Sequence, residues 1–122
     1  MQDKVGIIRK EDTLSEAVDD IRVLSEKARR TAVGGDRHFN TGWHTALDLR
    51  HLLTVAEACA RSALARRESR GAHSRIDYPE KDGDWGKHTV VLKKQADGTM
   101  VAGRDPLPPL PDGLREIIEE QG

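Results

Sequence analysis

From Thr13 onward, apolar positions Leu14, Ala17, Ile21, Leu24 and Ala28 recur three and four residues apart, a spacing that puts them on one face of an α-helix. Thr13 and Glu16 at the head of this run match a capping box, and the pattern predicts a helix over about 13–33. Arg29 and Arg30 complement the negative end of its dipole, and Gly34-Gly35 offers the backbone freedom of a C-terminal cap. After a polar loop with Asp36, Arg37, His38 and Asn40, the same spacing links Ala46, Leu49, Leu53, Ala56, Ala60 and Ala63. This predicts a longer helix over about 42–69, capped by Asn40 or Thr41. Its alanine stripe allows a neighbouring helix to approach closely, and the short loop favours an antiparallel pair. Ahead of both helices, Val5-Gly6-Ile7-Ile8 is compatible with a short helix or a strand-like tether.

The helical period stops after Gly71, and Tyr78 to Asp84 is rich in turn formers. Two β-prone runs, His88 to Leu92 and Thr99 to Ala102, flank Ala96-Asp97-Gly98, and the Asp-Gly pair predicts a hairpin over about 88–102. A lone hairpin is marginal in water, so it should lie against another part of the protein. Pro106, Pro108, Pro109 and Pro111 impose an extended arm over 106–111, followed by a short terminal helix with Ile117 and Ile118 as its apolar contacts. The expected fold class is mainly α: an antiparallel helical bundle, spectrin-repeat-like with three helices, over 1–75. An extended tail over 76–122 carries the β-hairpin within the same domain.

Composition narrows the picture. A chain of 122 residues fits one domain. With 34% charged and only 3% aromatic residues, its core is thin and aliphatic, which suggests a part of something larger. The 20 Lys and Arg nearly balance the 21 Asp and Glu, which removes the bulk argument for a nucleic-acid partner. The single Cys59 cannot form an internal disulfide and reads as a small buried side chain in a reducing compartment. No apolar run approaches the roughly 18 to 20 residues that span a bilayer, so direct membrane insertion is not expected and the chain reads as cytoplasmic.

Two groups of side chains could carry chemistry. His44, Asp48 and His51 fall at i, i+4 and i+7 of the second helix, a spacing that could hold a divalent metal; solvation or a local His–Asp hydrogen bond is the favoured reading. The string Arg66-Arg67-Glu68-Ser69-Arg70-Gly71-Ala72-His73-Ser74-Arg75 places several planar guanidinium donors at the end of that helix, suited to carboxylates or phosphates. It lacks the interleaved aromatics of a nucleic-acid surface, and a milder reading is charge that complements the helix dipole. There is no G-x-G-x-x-G, G-x-S-x-G, phosphate-binding glycine loop or Cys-x-x-Cys pair, so no complete active site can be assembled.

The string from Arg67 to Arg75, followed by Asp77-Tyr78-Pro79 and Trp85-Gly86-Lys87-His88, resembles the C-terminal region of succinate dehydrogenase and fumarate reductase flavoproteins. The resemblance extends back through Asn40, Gly42-Trp43-His44 and Ala46-Leu47-Asp48-Leu49, and forward through Pro106-Leu107-Pro108. His51 and Thr41 depart from it, standing where Asn and Pro are common in the family. The resemblance implies a parent several times longer, in which Met1 is internal. FAD is then bound outside this segment, and the catalytic residues belong to the FAD and capping domains, with none in this chain. The implied partners are those two domains and an iron–sulfur subunit, with the parent peripheral on the cytoplasmic face of the inner or plasma membrane. In that setting Arg67, Glu68, Arg70, Gly71, His73 and Arg75 are expected to form a domain interface, with Arg67, Arg70 and Arg75 reaching carboxylates or carbonyls of the FAD domain. Glu68 and His73 have a second reading, as residues that fix the turn. L-aspartate oxidase, which shares the Glu-Ser-Arg-Gly string, is the neighbouring alternative. A free-standing helical adaptor that binds through the arginine turn or the proline arm is the alternative from another class.

Overall fold

The computed structural model describes residues 1–121. The elements are α1 (Gln2–Val5), β1 (Ile8–Arg9), α2 (Glu11–Arg29), α3 (Thr41–Ala65), β2 (Ser74–Arg75), a 3-10 turn at Trp85–Lys87, β3 (His88–Lys94), β4 (Met100–Pro106) and α4 (Asp112–Gln121). The fold is mainly α, with one small antiparallel sheet.

The start of α2 packs on the end of α3, through Leu14, Ala17 and Ile21 against Ala60 and Ala63. The end of α2 lies beside Trp43 and Leu47 at the start of α3, so the pair is antiparallel. Val5 of α1 plugs the closed end of this seam. The opening apolar stretch thus uses both of its options, a helical turn and then a short strand. β1 pairs in parallel with β2, Ile8 opposite Ser74 and Arg9 opposite Arg75, which brings the N-terminal segment onto the arginine-rich turn.

The helix ends differ from the sequence reading. Helix α2 begins at Glu11 with Lys10 as its N-cap, and no side chain caps it locally. Thr13 Oγ donates to the Lys10 carbonyl at 2.9 Å, so no capping box forms. An acceptor comes from far along the chain instead: Asp77 Oδ2 takes the Glu11 N–H at 3.0 Å. At the other end the last helical residue is Arg29, ahead of Gly34-Gly35. Asn40 does cap α3, accepting from the Trp43 N–H at 3.3 Å. The chain leaves α3 after Ala65 because Arg66 is extended.

β3 and β4 form an antiparallel hairpin, with Lys94 opposite Met100 at the turn and His88 opposite Pro106 at the open end. Gly98 has φ +85° in the turn, and Asp97 Oδ1 accepts the Thr99 N–H at 2.9 Å, so the Asp-Gly signal corresponds to a real local geometry. The hairpin lies against α3. Helix α4 stands at the end of the proline arm, with all its described side chains exposed through Glu120.

Candidate functional site

Ten residues after the end of α3, the chain returns to it with Arg75, which is fully buried. Arg75 Nη1 donates to the carbonyls of Ala63, Leu64 and Arg66 at 3.1, 3.2 and 3.3 Å. These oxygens lie at the C-terminal end of α3, where carbonyls lack intrahelical partners and the helix dipole is negative. Nε and Nη2 of the same guanidinium grip Asp77 at 2.7 and 2.6 Å in a bidentate pair. Arg75 thus ties the end of α3 to Asp77, which in turn takes the first N–H of α2. The guanidinium beside it holds the Asp77 carboxyl down at about 2.

Glu68 is also fully buried and is the acceptor at the centre of the turn. It receives Arg70 Nε at 3.0 Å and Nη2 at 3.1 Å, the Asp82 N–H at 2.9 Å, and Arg66 Nη1. Arg70 first, with the Asp82 N–H and Arg66 adding to it, lowers the Glu68 carboxyl to about 2 against the opposing effect of burial. The chain reverses between Arg70 and His73, whose backbones exchange N–H to carbonyl bonds of 2.8 and 3.0 Å. Gly71 takes φ +58° there, a conformation L-residues with a Cβ rarely adopt.

His73 links the turn to β1. The Arg9 guanidinium donates to Nδ1, and Nε2 lies 3.1 Å from the Arg66 carbonyl. An arginine cannot accept, so Nδ1 must be the acceptor and Nε2 the protonated nitrogen: the ring is a neutral, fixed tautomer. Burial, together with the charges of Arg9, Arg75 and Arg66, lowers its pKa below the ordinary histidine value.

Trp85 has two cations over its ring, with Arg66 at 5.1 Å and Arg104 at 4.2 Å from the centroid. Arg66 also donates to the His88 carbonyl at 3.2 Å, and Arg104 pairs with Asp84. These contacts fasten the hairpin to the end of α3. Between them and the start of α2 opens a cleft of about 810 Å³ that Arg61, Arg67, Leu64 and Val101 help to line.

The structure therefore gathers the expected residues into one place but turns several of them inward. Arg75 and Glu68 are interior, so Arg75 does not present its donors to another surface. Arg67, Arg70 and Gly71 are exposed and His73 is half-buried. Arg67 makes only a face contact with Tyr78, at 6.0 Å. Arg66, Asp77, Asp82 and Trp85 belong to the same network without being in the expected interface set; the acid two residues after Arg75 is the available signal for Asp77, whereas Asp82 joins through its backbone N–H and carbonyl, which residue type does not reveal. His44, Asp48 and His51 are all exposed, and among the described residues no three His, Cys, Asp or Glu side chains are placed to hold a metal. Cys59 is exposed rather than buried.

The family described as "Fumarate reductase flavoprotein C-term" matches residues 1–107. The chain belongs to this family. It is 37% identical over 108 residues to a fumarate reductase flavoprotein subunit of Mycobacterium tuberculosis, covering 88% of this chain and 18% of that protein. It is 37% identical over 119 residues to a succinate dehydrogenase flavoprotein subunit of Coxiella burnetii, covering 89% of this chain and 20% of that one. In three dimensions it is similar to Mycobacterium smegmatis Sdh1 in complex with UQ1, with TM-score 0.85 and 38% identity over 99% of this chain and 21% of that one. The chain thus spans about a fifth of the length of the relatives it matches, and it corresponds to the C-terminal domain of the flavoprotein.

The flavin that this family implies does not fit the residues present. Dinucleotide cradles use a strand, a glycine-rich turn and a helix N-terminus. Here the strands are a hairpin and a two-residue pair, and the one buried aromatic ring is already covered by Arg66 and Arg104.

Proposed function

We propose that this chain is the structural and docking C-terminal domain of an FAD-dependent flavoprotein that interconverts succinate and fumarate and passes electrons to an iron–sulfur subunit. In this reading FAD and the reacting dicarboxylate are bound by the FAD and capping domains, and this domain supplies no catalytic group. The observation that carries the reading is the end use of its chemistry: the buried ionisable groups Glu68 and Arg75 are consumed in internal pairs that fasten α2, α3 and the hairpin together. That is the construction of a rigid support, not of a site that moves protons or holds a ligand.

The interface with the rest of the flavoprotein is assigned to the exposed members of the turn, Arg67, Arg70, Gly71 and the outer edge of His73, with Glu68 and Arg75 holding their geometry from within. Exposed Phe39, Leu52 and Val55 add apolar surface suited to the same role. The three-helix arrangement is proposed as well, with α1 as the last turn of the third helix. Its support is one uncovered position on the core-facing side of α2, with Ile21 and Ala28 buried on either side of it. Leu14, Ala17, Ala60 and Ala63 beside Val5 are buried, whereas Leu24, in register with them on α2, is 49% exposed. A helix continuing upstream from Gln2 would cover Leu24 and the half-buried Ala56, Leu53 and Leu49. No helix among the described residues is long and apolar enough to cross a membrane. The proposed attachment of the parent is through its partner subunits, on the cytoplasmic face.

The test is the full-length flavoprotein with Arg67→Ala, which leaves the Glu68 and Arg75 pairs intact. Reduced flavin retention or a weakened complex with the iron–sulfur subunit, at unchanged helical content, is the expected outcome. Wild-type flavin content, succinate oxidation and subunit association in that variant would remove Arg67 from the interface. Stoichiometric FAD binding by residues 1–122 alone would sink the docking reading altogether.

A further inference from the structure

We propose that Arg9 and His73 form an acid-opened latch: a proton on the imidazole expels the Arg9 guanidinium and frees β1, together with the end of α1, from the turn between Arg70 and Arg75. Both partners lie within this chain, so the latch does not depend on what covers the outer edge of the turn. Strand β1 is two residues long. Two backbone bonds hold it, from the Ser74 N–H to the Ile7 carbonyl at 3.1 Å and from the Ile76 N–H to the Arg9 carbonyl at 2.9 Å. So short a pair is marginal without help from side chains. Arg9 supplies that help: Nη1 donates to His73 Nδ1, and Nη2 donates to the Val5 carbonyl at 3.3 Å. One guanidinium thus joins the end of α1, β1 and the turn.

His73 keeps this arrangement only while it is neutral. Nε2 already carries a proton, directed at the Arg66 carbonyl 3.1 Å away, so a second proton has only Nδ1 to go to, where it meets an arginine N–H that cannot accept. The imidazolium would also stand among cations from the elements around it: Arg9 on β1, Arg66 at the end of α3 and Arg75 on β2. The acids of the neighbourhood are already engaged. Glu68 is held by Arg66, Arg70 and the Asp82 N–H, Asp77 by Arg75 and the Glu11 N–H, and the Glu11 carboxylate lies 3.7 Å from Arg75. Arg9 is the member free to leave. Arg66 and Arg75 are anchored by carboxylates, whereas Arg9 contacts His73 and the Val5 carbonyl with its Nε buried and unpartnered, so no carboxylate among the described residues retains it.

The latch therefore opens in the acid direction. A closed latch requires the neutral ring, so the imidazole of the closed state titrates below that of the open one; burial and the three arginines act in that sense, lowering it from 6.5. Closure is complete above pH 6.5 and weakens as pH falls from there toward the closed-state value, by at most tenfold per pH unit for a single proton. The turn that is released carries Arg67 and Arg70 on its outer edge, so the seating of that edge becomes sensitive to pH.

Hydrogen exchange read by mass spectrometry on the full-length flavoprotein, in steps from pH 8 to 4.5 and corrected for the intrinsic pH dependence of exchange, tests this. Stopping at pH 4.5 keeps Glu68 and Asp77 ionised, since both carboxyls lie at about 2. Protection of the Ser74 and Ile76 amides should be constant above pH 6.5 and fall below it with a slope approaching tenfold per pH unit, while the amides of β3 and β4 keep theirs. His73→Gln is neutral throughout, and Arg9→Gln offers a carbonyl that can accept from the imidazolium; each should give a flat profile. Wild-type protection at Ser74 and Ile76 that stays flat down to pH 4.5 would overturn the latch, as would an equal fall in the hairpin amides. A wild-type fall that persists in either variant would overturn it too. Because the hairpin serves as reference within the wild type, the comparison stands even where a variant folds poorly.

Discussion

Replacing Glu68 with Ala should destabilise this domain by about 3 kcal/mol at pH 7, and most of that loss should vanish in acid. The magnitude follows from what the carboxylate holds. Removal strands the Asp82 N–H and leaves Arg66 and Arg70 facing each other with no anion between them. A buried donor without a partner costs about 1–3 kcal/mol, and breaking a buried ion pair from one side costs about 3–5 kcal/mol. Arg70 is partly exposed and can turn toward water, so the lower part of that range applies. Linkage gives the same size: a carboxyl lowered from 4.5 to about 2 contributes at most about 3 kcal/mol. Because the folded-state pKa is the lower one, this stability is fully present above pH 4.5 and is lost as pH falls from there toward 2. Asp77 titrates over a similar window in both proteins and cancels in the difference. Urea unfolding followed by circular dichroism, at pH steps from 7 to 2.5, reads the gap directly. A gap under 1 kcal/mol at pH 7, or one that stays constant down to pH 2.5, would refute the buried-acceptor reasoning.

Arg75→Lys should cost about 3 kcal/mol or more, because an ammonium cannot grip Asp77 through two nitrogens while reaching three carbonyls; hydrogen exchange should show the last turn of α3 opening first. His73 should titrate below 6.5 and carry its proton on Nε2 at pH 7, both readable from ring nitrogen shifts by NMR. Since its folded pKa is the lowered one, its contribution is complete above pH 6.5 and fades as pH falls below it, so His73→Gln should flatten the stability profile below pH 6.5. Gly98→Ala should cost about 1–2 kcal/mol through its φ of +85° alone, since no atom crowds the new methyl; an unchanged hairpin melting profile would contradict the assigned turn.

The helix pair and the hairpin were legible because their signals are local: a three-and-four spacing for α2 and α3, and Asp-Gly between β-prone runs. Asn40 could be named as a cap for the same reason, being three residues from the N–H it accepts. The start of α2 could not. Thr13 and Glu16 have the right spacing for a capping box, yet Asp77, 66 residues beyond Glu11, accepts the first N–H instead. That acceptor exists only after Arg75 has fixed Asp77 against the end of α3, so no window around α2 contains the information. Leu24 marks a second limit. Its register places it in the core, but burial depends on a third surface beyond the α2–α3 pair, and periodicity says only which face is apolar, not whether it is covered.

The arginine string shows how far composition can point while leaving direction open. Its residue types identify strong carboxylate-binding donors, but the carboxylates they bind include Glu68 inside the string and Asp77 just beyond it. A guanidinium with an acid two residues away and helix-terminal carbonyls within reach is satisfied at home, and Arg75 buries completely because each of its own guanidinium nitrogens is paired. Arg67 lacks any acid among its described contacts and remains at the surface over Tyr78. Where acids and bases alternate closely, as from Arg66 to Asp84, they close the fold.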